Sequence, residues 1–292
     1  MLRFPAIDPV IVSLGPLEVR WYGMMYLLGF LAAYLLGRRR ARSAWSPMRE
    51  NQVEDFIFFG ALGAVLGGRV GYVLFYGFDR FLGDPMWMIR IWEGGMSFPG
   101  GLLGVIFALS LYARKIGCSF TAICDFVAPL APIGLGLGRL ANFINAELYG
   151  RATDVPWAMV FPNDPDQLAR HPSQLYQAAL EGFVLFVVIW FATRRQRPPW
   201  FASGLFLLGY GFARFFVEFF REPDASLVLD WMTRGQLLSL PMIAGGLLLL
   251  ALAFRGSPLP ATTAAPAATD VKAKRRRNNK NRNRRRNRKR SL

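Results

Sequence analysis

Seven long apolar stretches joined by short polar segments decide what this chain can become. They run Trp21–Gly37, Val53–Tyr76, Met96–Tyr112, Thr121–Ile144, Leu175–Ala192, Phe201–Phe220 and Gln236–Phe254. About 20 apolar residues carry a helix across the hydrocarbon core of a bilayer. Inside lipid every backbone polar group needs a partner, which a single helix supplies internally and a single strand does not. The expected fold class is therefore all-α: a polytopic membrane helix bundle of about seven transmembrane helices with a small periplasmic cap. The first residues lack a basic start, a compact apolar stretch and a small-residue cleavage site, so no cleaved leader is expected.

Orientation follows from the charges. Arg38, Arg39, Arg40 and Arg42 follow the first stretch, Arg114 and Lys115 the third, Arg194, Arg195 and Arg197 the fifth, and a basic tail the seventh. With seven crossings all these ends fall on one side, and positive-inside counting makes that side the cytoplasm. The N-terminal segment, residues 1–20, is then external. Residues 21–254 form the membrane domain, with an external N-terminus and a cytoplasmic C-terminus. The loop 146–172, long for a connector and rich in Asp and Pro, reads as a folded periplasmic cap.

The net charge of +16 suggests a nucleic-acid binder until it is divided along the chain. Residues 255–292 hold fourteen Lys or Arg and one acid, so the tail carries +13 and the rest only +3. An Ala/Pro/Thr linker leads into this Arg/Asn-rich run, which lacks apolar surface to bury and is expected to be disordered. Its partner is anionic lipid headgroups or RNA. Cys118 and Cys124 are too few for a disulfide framework and wrongly spaced for zinc. No metal and no cofactor are expected.

Ionisable groups inside a span are costly and mark function by default. Tyr210, Arg214, Glu218 and Arg221 fall on one helical face, at i, i+4, i+8 and i+11. Arg139, Asn142 and Asn145 do the same in the fourth stretch, and Arg69 lies in the second. Two readings are open. The charges pair internally and glue the bundle, or they receive an anion. The second rests on number: four arginines face one clearly intramembrane acid, Glu218, with Glu147 and Glu181 nearby. A phospholipid phosphate suits the planar guanidinium fork.

The run G-R-L-A-N-F-I-N-A-E-L-Y-G at Gly138–Gly150 resembles the signature of the bacterial phosphatidylglycerol–prolipoprotein diacylglyceryl transferases. R-W-Y-G-M-M-Y at Arg20–Tyr26, L-G-G-R-V-G-Y at Leu66–Tyr72, R-H-P-S-Q-L-Y at Arg170–Tyr176 and G-Y-G-F-A-R-F-F-V-E-F-F-R-E-P-D at Gly209–Asp224 agree in order. The resemblance covers residues 5–254 and leaves the tail outside. It implies transfer of the diacylglyceryl group of phosphatidylglycerol to the lipobox cysteine thiol in a prolipoprotein signal peptide, releasing glycerol 1-phosphate. It also implies roles. Arg139 and Arg214 would stabilise the leaving phosphate, and Asn142 and Glu147 would hold the glycerol headgroup or orient the arginines. Glu218 and Arg221 would brace Arg214, and Tyr22 would line the site.

One position departs from the family. Its third span begins S-F-H-G-G, and that histidine has been proposed as the thiol base; here the residues are Ser97-Phe98-Pro99-Gly100-Gly101. Proline accepts no proton, but it suits the first turn of a helix. His171, the only histidine, belongs to the cap motif. Nearby guanidiniums lower a thiol pKa and so replace part of the lost assistance. The alternative reading is an anionic-lipid-binding paralogue whose transferase activity is impaired or lost because Pro99 replaces the histidine.

Overall fold

Each apolar stretch is helical in the computed structural model, which describes residues 2–5, 7–15, 17–223 and 231–255. The tail expected over 255–292 lies outside the described residues, apart from Arg255. Strand β1 (Leu2–Arg3) precedes a hairpin of β2 (Val10–Leu14) and β3 (Leu17–Arg20), which runs directly into α1 (Trp21–Ala41). α1 ends on Arg38, Arg39 and Arg40, cations that suit the negative end of the helix dipole. α2 (Val53–Tyr76) opens with Glu54 and Asp55, the complementary choice. The short α3 (Phe78–Gly83) and two 3₁₀ turns lead to α4 (Phe98–Ile116). Ser97 caps α4 by accepting from the Gly100 N–H at 3.3 Å, and Pro99 occupies its first turn. Gly117, at φ +74°, ends that helix in the left-handed conformation that glycine adopts without penalty.

The stretch expected as one span over 121–144 is two helices. α5 (Phe120–Val127) is bent 119° from α4, and α6 (Ala131–Ile144) starts after a non-helical break. Pro132 stands in the first turn of α6, where it lacks the N–H that a continuous helix would use. Strands β4 (Met159–Val160) and β5 (Ala169–Arg170) follow. β1 pairs parallel with β4 and β4 antiparallel with β5, so residues 2–3 close a small sheet over the end of α6. Phe4, Phe143 and Phe161 pack beneath it. The next rod has three parts: α7 (Ser173–Gln177), π-helical turns over Ala178–Val184, and α8 (Leu185–Ala192). α9 (Phe201–Val217) and α10 (Arg234–Arg255) complete the order.

Glycines set the helix crossings, as expected where lipid offers no hydrophobic drive and close backbone approach must supply the attraction. A Cβ on Gly71 would come within 2.7 Å of the Gly100 Cα, and one on Gly67 equally near the Gly104 Cα, so α2 and α4 touch backbone to backbone. α6 meets the π-helical turns in the same way, through Gly136 and Gly182. The outer surface is apolar: Phe75, Phe98, Phe183 and Phe254 are each at least 70% exposed, which water would penalise and lipid does not. Among the described residues three helical stretches, Glu50–Tyr76, Ser173–Ala192 and Arg234–Arg255, are long and apolar enough to cross a membrane, and the bent pair α4–α5 makes a fourth when it is taken as one span.

The basic clusters meet at one end of the bundle. Arg40 of α1 donates to Thr193 Oγ1 at the end of α8 (3.0 Å), and Lys115 of α4 pairs with Asp55 of α2 (2.9 Å). Arg38 and Arg42 both bind Glu50, holding its carboxyl down near pKa 2. Arg197 covers the ring of Phe201, which itself meets Phe254 edge to face near the end of α10.

Candidate active site

Glu147 lies in the turn that ends α6. Ala146 and Leu148, on either side of it, have φ of +54° and +59°. Left-handed backbone at such residues costs on the order of 1–3 kcal/mol each and persists only when the surroundings enforce it. Here the enforcing groups come from the start of α7. Gln174 Nε2 donates to the Glu147 carbonyl at 2.7 Å, and Ser173 Oγ donates to that of Leu148 at 3.1 Å. The turn swings the Glu147 carboxylate back over α6, where it accepts from Asn142 Nδ2 at 2.8 Å and, less closely, from Asn145 Nδ2 at 3.5 Å. Gly150 closes the run: its N–H donates to the His171 carbonyl at 2.8 Å, and an added Cβ would come 2.7 Å from His171. The second motif, Arg170–Tyr176, thus clamps the first.

The arginines form an alternating chain with acids. Arg139 Nε stands 3.5 Å from Glu181 Oε2, and Arg214 Nη1 stands 3.8 Å from Glu181 Oε1. Arg214 Nη2 pairs with Glu218 Oε2 at 3.1 Å, and Arg221 Nη1 lies 3.9 Å from the same oxygen. Glu181 is completely buried, while the Arg139 and Arg214 side chains are 20% and 14% exposed. Tyr210, one turn before Arg214, faces Arg139 and Glu181. The Gly136–Gly182 crossing makes this meeting possible, because Arg139 and Glu181 sit within a turn of it on the two partners. The π-helical turns around Glu181 are of the kind that often mark functional positions. Glu218 is sheathed by the first turn of α10, where a Cβ on Gly235 would stand about 2.5 Å from the carboxylate.

Arg139, Asn142, Glu147, Arg214, Glu218 and Arg221 therefore gather at one end of α6 and α9. Tyr22 opens α1 with its ring against Tyr26 at 5.4 Å. Gly29 meets Gly134 and Gly37 meets Leu130, so α1 and α6 run antiparallel and Tyr22 reaches the level of Asn142. Arg69 does not join them, which corrects the count of surplus cations. Its guanidinium is buried and donates to the carbonyls of Trp87, Met88, Arg90 and Gly94, with the Trp87 ring at 4.7 Å. It is a clamp for the loop between α3 and α4.

Glu181 is the residue that sequence reasoning undervalued. An acid in an otherwise apolar stretch, with Gln174 and Gln177 on the same face, was the available signal. It halves the apparent excess of cations, yet both of its ion pairs are too long for good hydrogen bonds, and Arg214 Nη1 makes none among the described residues. The two arginines thus keep donors for an incoming anion. His171 packs edge to face against Tyr176 and Phe220, with Nδ1 3.1 Å from the Tyr176 hydroxyl, and burial pushes its pKa down. It belongs to the packing of the cap. Among the described residues no three His, Cys, Asp or Glu side chains converge as a metal would need.

Comparison with known proteins matches residues 9–252 to the model of the prolipoprotein diacylglyceryl transferases. A phosphatidylglycerol–prolipoprotein diacylglyceryl transferase of Marinomonas sp. strain MWYL1 is 54% identical over 271 residues, covering 90% of this chain and all of the relative. The enzymes of that name from Vibrio vulnificus strain CMCP6 and Ectopseudomonas mendocina strain ymp are 59% and 53% identical, over 87% and 89% of this chain and 94% and 98% of their own. A clamped signature turn, a buried arginine–carboxylate chain and this breadth of identity lead to one conclusion: the chain belongs to the prolipoprotein diacylglyceryl transferase family.

Proposed function

We propose that this protein transfers the diacylglyceryl group of phosphatidylglycerol to the lipobox cysteine thiol of prolipoproteins. The observation that carries the reading is the pair Arg139–Arg214, held from two helices by one buried carboxylate and left with donors to spare. In the reaction the thiol loses its proton, a carbon–sulfur bond forms at the glyceryl carbon, and the carbon–oxygen bond to phosphate breaks. The phosphate leaves as glycerol 1-phosphate and gathers negative charge as it goes. Preorganised guanidiniums in a site of low dielectric stabilise that charge. They also favour the thiolate over the thiol, which offsets the missing imidazole at Pro99. Asn142 and Glu147 offer an amide and a carboxylate to the hydroxyls of the glycerol headgroup. Glu218 and Arg221 brace Arg214, and Tyr22 closes the site from α1. The breadth of identity to named transferases gives no support to the lipid-binding alternative.

The membrane setting belongs to the same reading. Seven crossings in the bacterial inner membrane put the basic end of the bundle in the cytoplasm. The N-terminus and the 146–172 cap are then periplasmic, on the side where a secreted substrate presents its cysteine. The domain is residues 21–254, and the 255–292 tail is an appendage to it. Mass spectrometry of a lipobox peptide incubated with phosphatidylglycerol and the purified protein tests the assignment. A gain of one diacylglyceryl unit on the cysteine is expected; an unmodified peptide with intact protein rejects the reading.

A further inference from the structure

A second polar concavity lies at the opposite end of the bundle, beyond the reach of the transfer site. Trp200, beside it, precedes Arg214 by fourteen residues of helix, about 20 Å. The cavity is about 330 Å³, at the lower end of the range for small-ligand pockets, and its walls include Arg40, Trp45, Ser119, Arg195, Gln196 and Arg197. Three guanidiniums face it, and one carboxylate, Asp125. That carboxylate is already occupied: Oδ1 accepts from the Ser203 N–H (2.8 Å) and hydroxyl (2.7 Å), and Oδ2 from the Trp200 N–H (2.7 Å).

Among the described residues Arg40 donates only to neutral oxygens, those of Thr193 and the Asp125 carbonyl. Arg197 donates to the Ala192 carbonyl, and Arg195 makes no hydrogen bond or ion pair with any described residue. The first turn of α5, capped by Ser119, borders the cavity and adds the positive end of a helix dipole. Beside the wall Trp200 is held at φ +72°, a strained conformation for a bulky residue, pinned there by Asp125. Membrane orientation asks only that basic residues lie at this end. It does not ask for a cavity in which three guanidiniums stand beside a single carboxylate whose oxygens already accept from Ser203 and Trp200.

We propose that this cavity binds a phosphate-bearing anion, either the headgroup of a phospholipid in the adjoining leaflet or a soluble phosphate compound. The guanidinium forks of Arg40 and Arg195 and the first turn of α5 would hold the phosphate, with Trp45 beside it. The proposal is independent of the transfer reaction. Native mass spectrometry of the full chain released from micelles doped with phosphatidylglycerol tests it. Two tightly held lipids are expected, one at the transfer site and one here. Arg195→Glu and Gln196→Glu, at two exposed and uncommitted rim positions, should each cut occupancy of the second adduct at least tenfold and leave the first unchanged. Millimolar glycerol phosphate that strips the second adduct marks a soluble ligand; resistance to it marks the lipid headgroup. A single adduct in the wild type, a second adduct indifferent to both substitutions, or equal filling by diacylglycerol without phosphate would overturn the proposal.

Discussion

A carboxylate between two arginines of different helices fixes the distance at which those arginines can share an anion. Glu181 does this from a fully buried position, with Arg139 on one oxygen and Arg214 on the other. Arg139→Ala and Arg214→Ala should each lower transfer by roughly 10²–10³ or more, the usual cost of losing one preorganised donor. Lysine should restore only part, since it offers a point charge where a fork is needed. Glu181→Gln keeps the shape but leaves two cations facing each other in a dry site. It should destabilise the protein by about 3 kcal/mol and slow turnover by roughly 10²-fold through misplacement. Thermal unfolding in detergent and peptide lipidation rates measure the two effects; a Glu181→Gln enzyme of normal speed would remove Glu181 from the site.

Two elements hold that geometry, a helix crossing and a cap. At the crossing the Gly182 position has no room, since a Cβ there would stand 2.6 Å from the Gly136 Cα, which is backbone and cannot swing aside. Gly182→Leu should therefore push α6 from its partner and separate Arg139 from Glu181. A stability loss of about 1–3 kcal/mol and near-complete loss of transfer are expected, read by the same two assays. The cap rests on Arg170, which donates to Asp164 at 2.7 and 2.9 Å and also reaches Asp166 and Glu222. The Arg170 hydrogen bonds hold the Asp164 carboxyl below its usual range, and burial lowers the His171 pKa. Both shifts weaken the cap in acid. His171 begins to oppose folding as pH falls below its unfolded value near 6.5. Asp164 withdraws its contribution as pH falls below about 3.9 and through its lower folded pKa. Protection factors at Leu168 and Asp166, whose N–H groups donate to Asp164, should fall in those two stages once exchange is corrected for its intrinsic rate at each pH; protection that stays constant through both stages would contradict this.

For the whole molecule the open quantity is the path through the membrane. Three basic clusters from separate parts of the sequence converge at one end, beside the last turn of α10, while the signature turn and cap lie at the other. A reporter fused after Arg42, Lys115 or Arg197 should read cytoplasmic, and one inserted at Asn163–Gln167 should read external. A cytoplasmic signal from the cap would overturn the seven-crossing path and place the thiol-accepting site on the wrong side.

The sequence by itself determined the class of the molecule. Apolar length and the obligation to satisfy backbone groups in lipid left helices as the solution, and Val53–Tyr76 emerged with the bounds read from its residues. Its motifs also named most of the side chains that gather at the proposed site, because Gly138–Gly150 and Gly209–Asp224 carry them in order. Tertiary structure decided which charges meet. Arg69 looked like a spare cation and is a loop clamp, because carbonyls from residues 87–95 fold around it. Glu181 looked marginal and is central, because two glycines 46 residues apart let α6 and the π-helical turns touch. The strained turn at Ala146 and Leu148 was equally invisible, being imposed by partners distant in the chain, whereas Pro129 and Pro132 mark the break within 121–144 locally. Local periodicity records which face of a helix is polar. It does not record what that face will find across a crossing, since that depends on contacts between segments far apart in sequence.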